Sequence, residues 1–215
     1  MTGTASVFSR LAERYPDLGA CIADITAVGE ILVKAAKENR KYLLCGNGGS
    51  AADADHIAGE LIKSFCKKRP IDNALSNRLL ELNEQTGGAG SILAEKLQAG
   101  IPAISLTQHT ALSTAFSNDV NAELVFAQQC QVFGNRGDVF LGITTSGNAN
   151  NVYYAALTAK AKGLVVLGLT GENGGKLKSL CDICIRVPRT ETYEVQELHL
   201  PVYHALCLYV EDQLW

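Results

Sequence analysis

The 215-residue chain has little of what marks the non-globular classes. Only five prolines occur, too few for a polyproline or collagen-like chain. No apolar run approaches the roughly 20 residues that span a bilayer, so no membrane partner is expected. The first residues, MTGTASVFSRLAERYPDLGA, lack the apolar core of a signal peptide, which predicts a cytoplasmic protein. Positive charge is not in excess: 19 Lys and Arg face 22 Asp and Glu, a net charge of −3. That balance argues against a nucleic-acid binder, which usually carries a basic face. What is present is 47% hydrophobic residues and 20 glycines, ample for one buried core.

Seven cysteines, an odd number, are spread through apolar segments as Cys21, Cys45, Cys66, Cys130, Cys181, Cys184 and Cys207. Buried reduced thiols fit this pattern better than a disulfide framework, which belongs to short secreted chains. Cys181 and Cys184 are close in sequence within CDICIRV, which reads as a strand. Residues three apart on a strand point to opposite faces, so a shared metal or redox site is not expected there.

Five β-branched-rich segments recur: 41–46 (KYLLCG), 102–107 (PAISLT), 138–144 (DVFLGIT), 163–170 (GLVVLGLT) and 182–187 (DICIRV). They are continuous apolar runs, as strands covered on both faces should be. Segments 50–65 and 148–162 between them have helical length and spacing, and another helix runs from about Thr192 to Leu214. The alternation predicts an α/β protein with a doubly wound parallel sheet flanked by helices. Two parts fall outside the sheet: an N-terminal helical segment over 1–39, and a helical insertion over 71–100. In the insertion, Asn83 to Gly88 read as a stop and Ala94 to Leu97 as a restart.

Ligands bind where the strands of such a sheet end. The loop after the first strand is Gly46, Asn47, Gly48, Gly49, Ser50, where Ser50 can cap the next helix. It lacks the dinucleotide and P-loop spacings, and alone it reads equally as a tight turn with a capped helix. The loop after the third strand is Thr144, Thr145, Ser146, Gly147, Asn148, Ala149. Three hydroxyls entering a helix N-terminus make a donor nest sized for one phosphate, although the loop holds no Lys or Arg. Together the two loops favour a ligand of sugar-phosphate size.

His56 and Glu60 are four apart, on one face of the helix after the first loop. Such a pair can ligate a metal, supply an acid and a base, or simply be a solvated pair. In the last helix Gln196 and His204 are about 80° apart around the axis and can edge one cleft; Pro201 between them is expected to bend the helix. His199 is assigned no chemistry. A carboxylate and an imidazole flanking a two-carbon unit is what aldose–ketose isomerisation through an enediol requires.

The segments CGNGGSAADADHIAGEL, ITTSGNANNV and ETYEVQELHLPVYHALC resemble the sugar isomerase (SIS) family, and within it the bacterial phosphoheptose isomerases. The resemblance runs from about residue 20 to the end, outside 71–100. It implies a single SIS domain over 1–215 with a five-stranded sheet, and conversion of sedoheptulose 7-phosphate to D-glycero-D-manno-heptose 7-phosphate. The family's base matches Glu60 and its acid His204. Its substrate-binding positions match Asn47, Gly48, Gly49, Ser50, Glu60, Asn118, Asp119, Thr144, Thr145, Ser146 and Gln196. Some members hold zinc at positions matching His56, Glu60, Gln196 and His204, and the family forms homotetramers with active sites between subunits. Ala149 stands where a phosphate-loop serine is usual, and the 71–100 segment is extra relative to short members. Both keep open an isomerase of another phosphosugar. A non-catalytic SIS module that binds phosphosugar or a protein partner is the third reading.

Overall fold

The computed structural model describes residues 5–215; residues 1–4 of the expected N-terminal segment lie outside it. Two helices, α1 (Ala5–Arg14) and α2 (Ile22–Lys37), precede β1 (Tyr42–Cys45) and α3 (Gly49–Ile62). An excursion holding α4 (Asn73–Glu81) and α5 (Ala89–Lys96) returns to β2 (Ala103–Ser105). Then come α6 (Thr110–Phe116), α7 (Val125–Phe133), β3 (Val139–Thr144), α8 (Asn150–Ala161), β4 (Val165–Thr170), β5 (Ile183–Arg186) and α9 (Thr192–Leu214).

The five strands form one parallel sheet in the order β2-β1-β3-β4-β5, as the apolar runs predicted. Alternation along each strand feeds two cores. Tyr42, Leu44, Leu141, Ile143, Leu167 and Leu169 face the layer of α1, α2, α3 and α9. Leu43, Cys45, Phe140 and Val166 face α7 and α8 instead. The winding reverses between β1 and β3, so the loops leaving these neighbouring strands flank the switch point where open α/β sheets take their ligands.

One local reading needs correction, and one helical run was not foreseen. The excursion restarts its helix at Ala89, five residues before the expected point, because Gly87 and Gly88 take φ of 60° and 94° and end the turn early. The helical run 110–133 had no clear expectation: α6 passes through a π turn over Ser117–Asn121 and is mostly exposed, so it shows little apolar periodicity. α9 is one uninterrupted helix through Pro201.

The ends of α3 and α9 are joined by a buried ion pair. Arg69 and Glu211 are 2% and 1% exposed, with Nε 2.7 Å from Oε1. The Glu211 carboxylate also accepts the backbone N–H groups of Phe65, Cys66 and Lys67. Burial alone would raise the Glu211 pKa, but these N–H donors and the guanidinium outweigh it and lower it. Arg69 donates further to the carbonyls of Glu60 and Leu61 and lies over the Trp215 ring at 4.6 Å. Replacing Glu211 by Ala leaves the arginine buried and unpaired, so denaturant unfolding should show a loss of roughly 3–5 kcal/mol.

His199 in α9 is fully buried, and neither ring nitrogen has a hydrogen-bond partner. Burial lowers its pKa to about 4, against a small opposing pull from the Thr170 backbone. The folded chain therefore resists a proton that the unfolded chain accepts near the ordinary histidine value. The contribution is fully present above about pH 6.5 and declines as pH falls towards 4, by roughly 3 kcal/mol. A His199→Met variant should lose that part of the acid slope when stability is followed against pH.

Candidate active site

The glycine loop is shaped by close approaches. Gly49 opens α3, and a Cβ there would stand 1.9 Å from Nε2 of Gln196, so the α9 carboxamide occupies the space that glycine leaves. Gly48 is the N-cap and no side chain caps the helix; Ser50 lies inside the first turn, buried, and is not the cap the sequence suggested. Asn47 reaches across to α8, where it exchanges two amide hydrogen bonds with Asn151, at 2.9 and 2.8 Å. The loops after β1 and β3 are thereby fixed to one another.

In the second loop Thr144 is buried, Thr145 half-buried and Ser146 exposed. Gly147 adopts φ of 71°, and a Cβ on it would meet the Gly174 carbonyl at 2.1 Å, so this turn accepts only glycine. Ala149 is the N-cap of α8 and brings no side-chain hydrogen bond to it. The cation absent from the loop itself is supplied by the segment after β4. The Lys176 backbone N–H donates to the Asn148 side chain, its ammonium contacts the Asn150 amide, and Nζ lies 4.9 Å from the Tyr153 ring centroid.

A second cluster lies further along the α3–α9 seam. Oε1 of Glu60 is 3.4 Å from Nε2 of His56, while Oε2 receives the Lys63 ammonium at 3.0 Å. The His56 ring stands edge-on to His204 with centroids 5.0 Å apart, and its Nδ1 is 3.1 Å from the Tyr203 hydroxyl. Burial lowers the His204 pKa, reinforced by His56 and opposed by Glu60, so the imidazole is neutral near pH 7. Its Nε2 is buried without a partner. The two helices thus bring the expected carboxylate and imidazole together within one chain.

Not every expected residue joins them. Gln196 sits against Gly49, two turns of α9 before His204. Among the described residues no three His, Cys, Asp or Glu side chains converge as they stand to hold a metal ion. Asn118 and Asp119 are exposed on the π turn and bond to each other at 2.8 Å. The 3-10 turn that follows, Ala122–Leu124, is tied to α8 through Glu123, whose carboxylate accepts from the Asn150 side chain. Glu60 itself lies about 16 Å of helix beyond Gly49.

This topology, with two candidate ligand loops at the sheet's switch point, has relatives. The SIS domain family model matches residues 19–85 and 81–171. The chain belongs to the SIS-domain family. This SIS domain is 41% identical over 184 residues to phosphoheptose isomerase 2 of Campylobacter jejuni, covering 86% of this chain and 77% of the relative. It is 38% identical over 191 residues to the phosphoheptose isomerase of Aneurinibacillus thermoaerophilus, covering 89% and 82%. Its fold superposes on the phosphoheptose isomerase structure from Neisseria gonorrhoeae with a TM-score of 0.72 at 28% identity, covering 96% of both chains. The corresponding protein from Francisella tularensis gives the same TM-score and identity, covering 98% of this chain and 99% of that one.

Sequence reasoning missed three residues in this SIS domain. Lys176 comes from a different loop, and only the packing of Gly174 on Gly147 reveals it. Tyr203 was overlooked beside His204, although its hydroxyl contacts His56. Asp53 is raised in pKa by burial, partly offset by the Tyr203 hydroxyl and His56. Its spacing to His56 and Glu60, three and seven residues, puts all three on one helical face and could have been noticed. A Gly49→Ala variant should fold normally, because only the mobile end of Gln196 must move. Its turnover should fall roughly tenfold or more through the displaced carboxamide, as steady-state kinetics would show.

Proposed function

We propose that the chain is an aldose–ketose isomerase that interconverts sedoheptulose 7-phosphate and D-glycero-D-manno-heptose 7-phosphate through an enediolate. The observation that carries this reading is the meeting of Glu60 with the neutral His204 across His56. Glu60 takes a proton from C1 of the ketose and returns it to C2. His204 donates a proton to O2 as the carbonyl becomes a hydroxyl, then recovers one from O1. The relatives named phosphoheptose isomerase support the same substrate. The Thr144, Thr145 and Ser146 hydroxyls, the open N-terminus of α8 and Lys176 are suited to the phosphate.

Zinc is a further part of the proposal. His56, Glu60 and His204 do not converge on one point as they stand, but with side-chain movement they would supply the two imidazoles and one carboxylate of a catalytic zinc site, and the orphaned Nε2 of His204 is a free donor. A bound zinc would polarise the sugar oxygens as a Lewis acid. Gln196, two turns away, would not reach the same ion within one chain. Assembly follows from the same geometry. Glu60 lies about 16 Å of helix beyond Gly49 and the strand-end loops, a placement that favours a sugar shared between neighbouring copies. A homotetramer with active sites between subunits meets that need. The protein contains no helix among the described residues that is long and apolar enough to cross a membrane, and a cytoplasmic location is proposed.

Ala149 favours one variant of this reading, in which another phosphosugar is the substrate, because α8 lacks a hydroxyl at its cap. Incubation with sedoheptulose 7-phosphate in zinc-supplemented deuterated buffer should give aldose product carrying solvent deuterium at C2. Absence of both product and exchange overturns the heptose reading, while exchange with another ketose phosphate alone favours the variant. Glu60→Gln should lower kcat by about 100-fold or more while leaving affinity for the phosphosugar nearly intact.

A further inference from the structure

The pair Cys181 and Cys184 does not lie as a strand pattern would place it. β5 begins only at Ile183, and a bend at Asp182 precedes it, fastened by the Asp182 N–H to the Val166 carbonyl (2.7 Å) and the Val166 N–H to the Asp182 carboxylate (2.8 Å). The bend turns Cys181 to the side of the sheet that Cys184 occupies. Both sulfurs converge over Gly168 of β4, where a Cβ would lie 2.8 Å from one and 3.0 Å from the other. Only a glycine in the neighbouring strand leaves room for both.

The Cys181 thiol adjoins the Cys184 sulfur over Gly168, and the Thr170 hydroxyl lies 3.5 Å from the Cys184 sulfur. The Cys181 thiol, Thr170, Arg186 and Lys178 bring Cys184 down to about 7 in spite of its burial. Cys181 is pushed up by that same contact and by burial. The arrangement thus separates one nucleophilic thiolate from one protonated partner. Both side chains are partly exposed, whereas Cys21, Cys45, Cys130 and Cys207 are buried.

What Cys181 holds is equally specific. Its thiol lies 3.4 Å from the Leu177 carbonyl, and the Leu177 N–H donates to the Gly147 carbonyl at 3.0 Å. Gly174 and Gly175 press on the same Gly147, and Lys176 leads from here to Asn148 and Asn150. One cysteine of the pair therefore anchors the segment that buttresses the Thr144–Ala149 loop.

We propose that Cys181 and Cys184 form a reversible dithiol–disulfide couple whose oxidation loosens the Thr144–Ala149 loop. The oxidant is a low-molecular-weight disulfide such as oxidised glutathione. The Cys184 thiolate attacks one sulfur of that disulfide and expels one glutathione thiolate, which takes up a proton. Cys181 then gives up its proton and attacks the Cys184 sulfur, closing the protein disulfide and expelling the second glutathione. Two protein thiols become one disulfide, and one glutathione disulfide becomes two thiols. Closure removes the Cys181 thiol proton and with it the bond to the Leu177 carbonyl.

The test equilibrates the full chain with oxidised glutathione, blocks remaining thiols with N-ethylmaleimide and maps the peptides by mass spectrometry. An internal disulfide in the peptide containing residues 181–184, reversed by dithiothreitol, is expected. Cys181→Ser should stop at a glutathione adduct on Cys184. Recovery of both cysteines as blocked thiols, or a stable adduct on Cys184 of the unaltered chain, overturns the couple. The coupling to the loop rests on the phosphosugar reading and has its own measurement. Calorimetry with sedoheptulose 7-phosphate should show severalfold weaker binding after oxidation, and no such change in the double Cys181→Ser, Cys184→Ser variant. Equal affinity in both redox states overturns the coupling. A reduced protein that fails to bind the sugar overturns the substrate assignment and the coupling with it, while the peptide map still decides the couple.

Discussion

A single buried guanidinium sets the alignment on which the acid–base cluster depends. The Arg69 guanidinium meets Glu211 near the end of α9 and donates to the carbonyls of Glu60 and Leu61 at the end of α3, while the Arg69 backbone carbonyl accepts the Ala99 N–H where the excursion returns. Removing two charges from water is costly, and the cost is offset only when the donors and acceptors are well matched. Here the carboxylate takes three backbone N–H groups besides the guanidinium. A slip of α3 along α9 would break this set. The register that pairs His56 with Tyr203 and His204 follows from that constraint.

The candidate chemistry of the proposed function divides between two positions on the molecule. At the strand ends, neutral donors and a helix terminus are suited to an anion, with Lys176 nearby on the adjacent loop. Along the helix seam, a carboxylate and two imidazoles face one another behind Tyr203 and Asp53. The sheet controls the first position through its switch point, and helix packing controls the second. Substitutions in the sheet core and in the seam should therefore affect ligand capture and proton transfer separately.

Much of the fold was legible because both-sided burial leaves an unbroken apolar signature, and each strand lies within its run. α9 was placed at Thr192–Leu214 from periodicity despite its proline. Helices α6 and α7 were not, since a π turn and a largely exposed face dilute their pattern. Glu60 was singled out by its i, i+4 spacing to His56, and its role and that of His204 by the family resemblance of their helices. Lys176 could not be found, because its role arises from glycine-on-glycine contact between loops remote in sequence. The pairing of Cys181 with Cys184 was misjudged for a similar reason. Strand alternation was applied two residues too far, across a bend that Asp182 fastens through its own side chain.

The Asn47–Asn151 bridge has a consequence for how the two loops respond to their surroundings. A mutual carboxamide contact carries no formal charge and nothing to titrate, so acidity and ionic strength leave its geometry alone. Salt would then act on ligand capture through the charges beside the bridge, those of Lys176, Glu123 and the ligand, with the spacing of the cradle held constant.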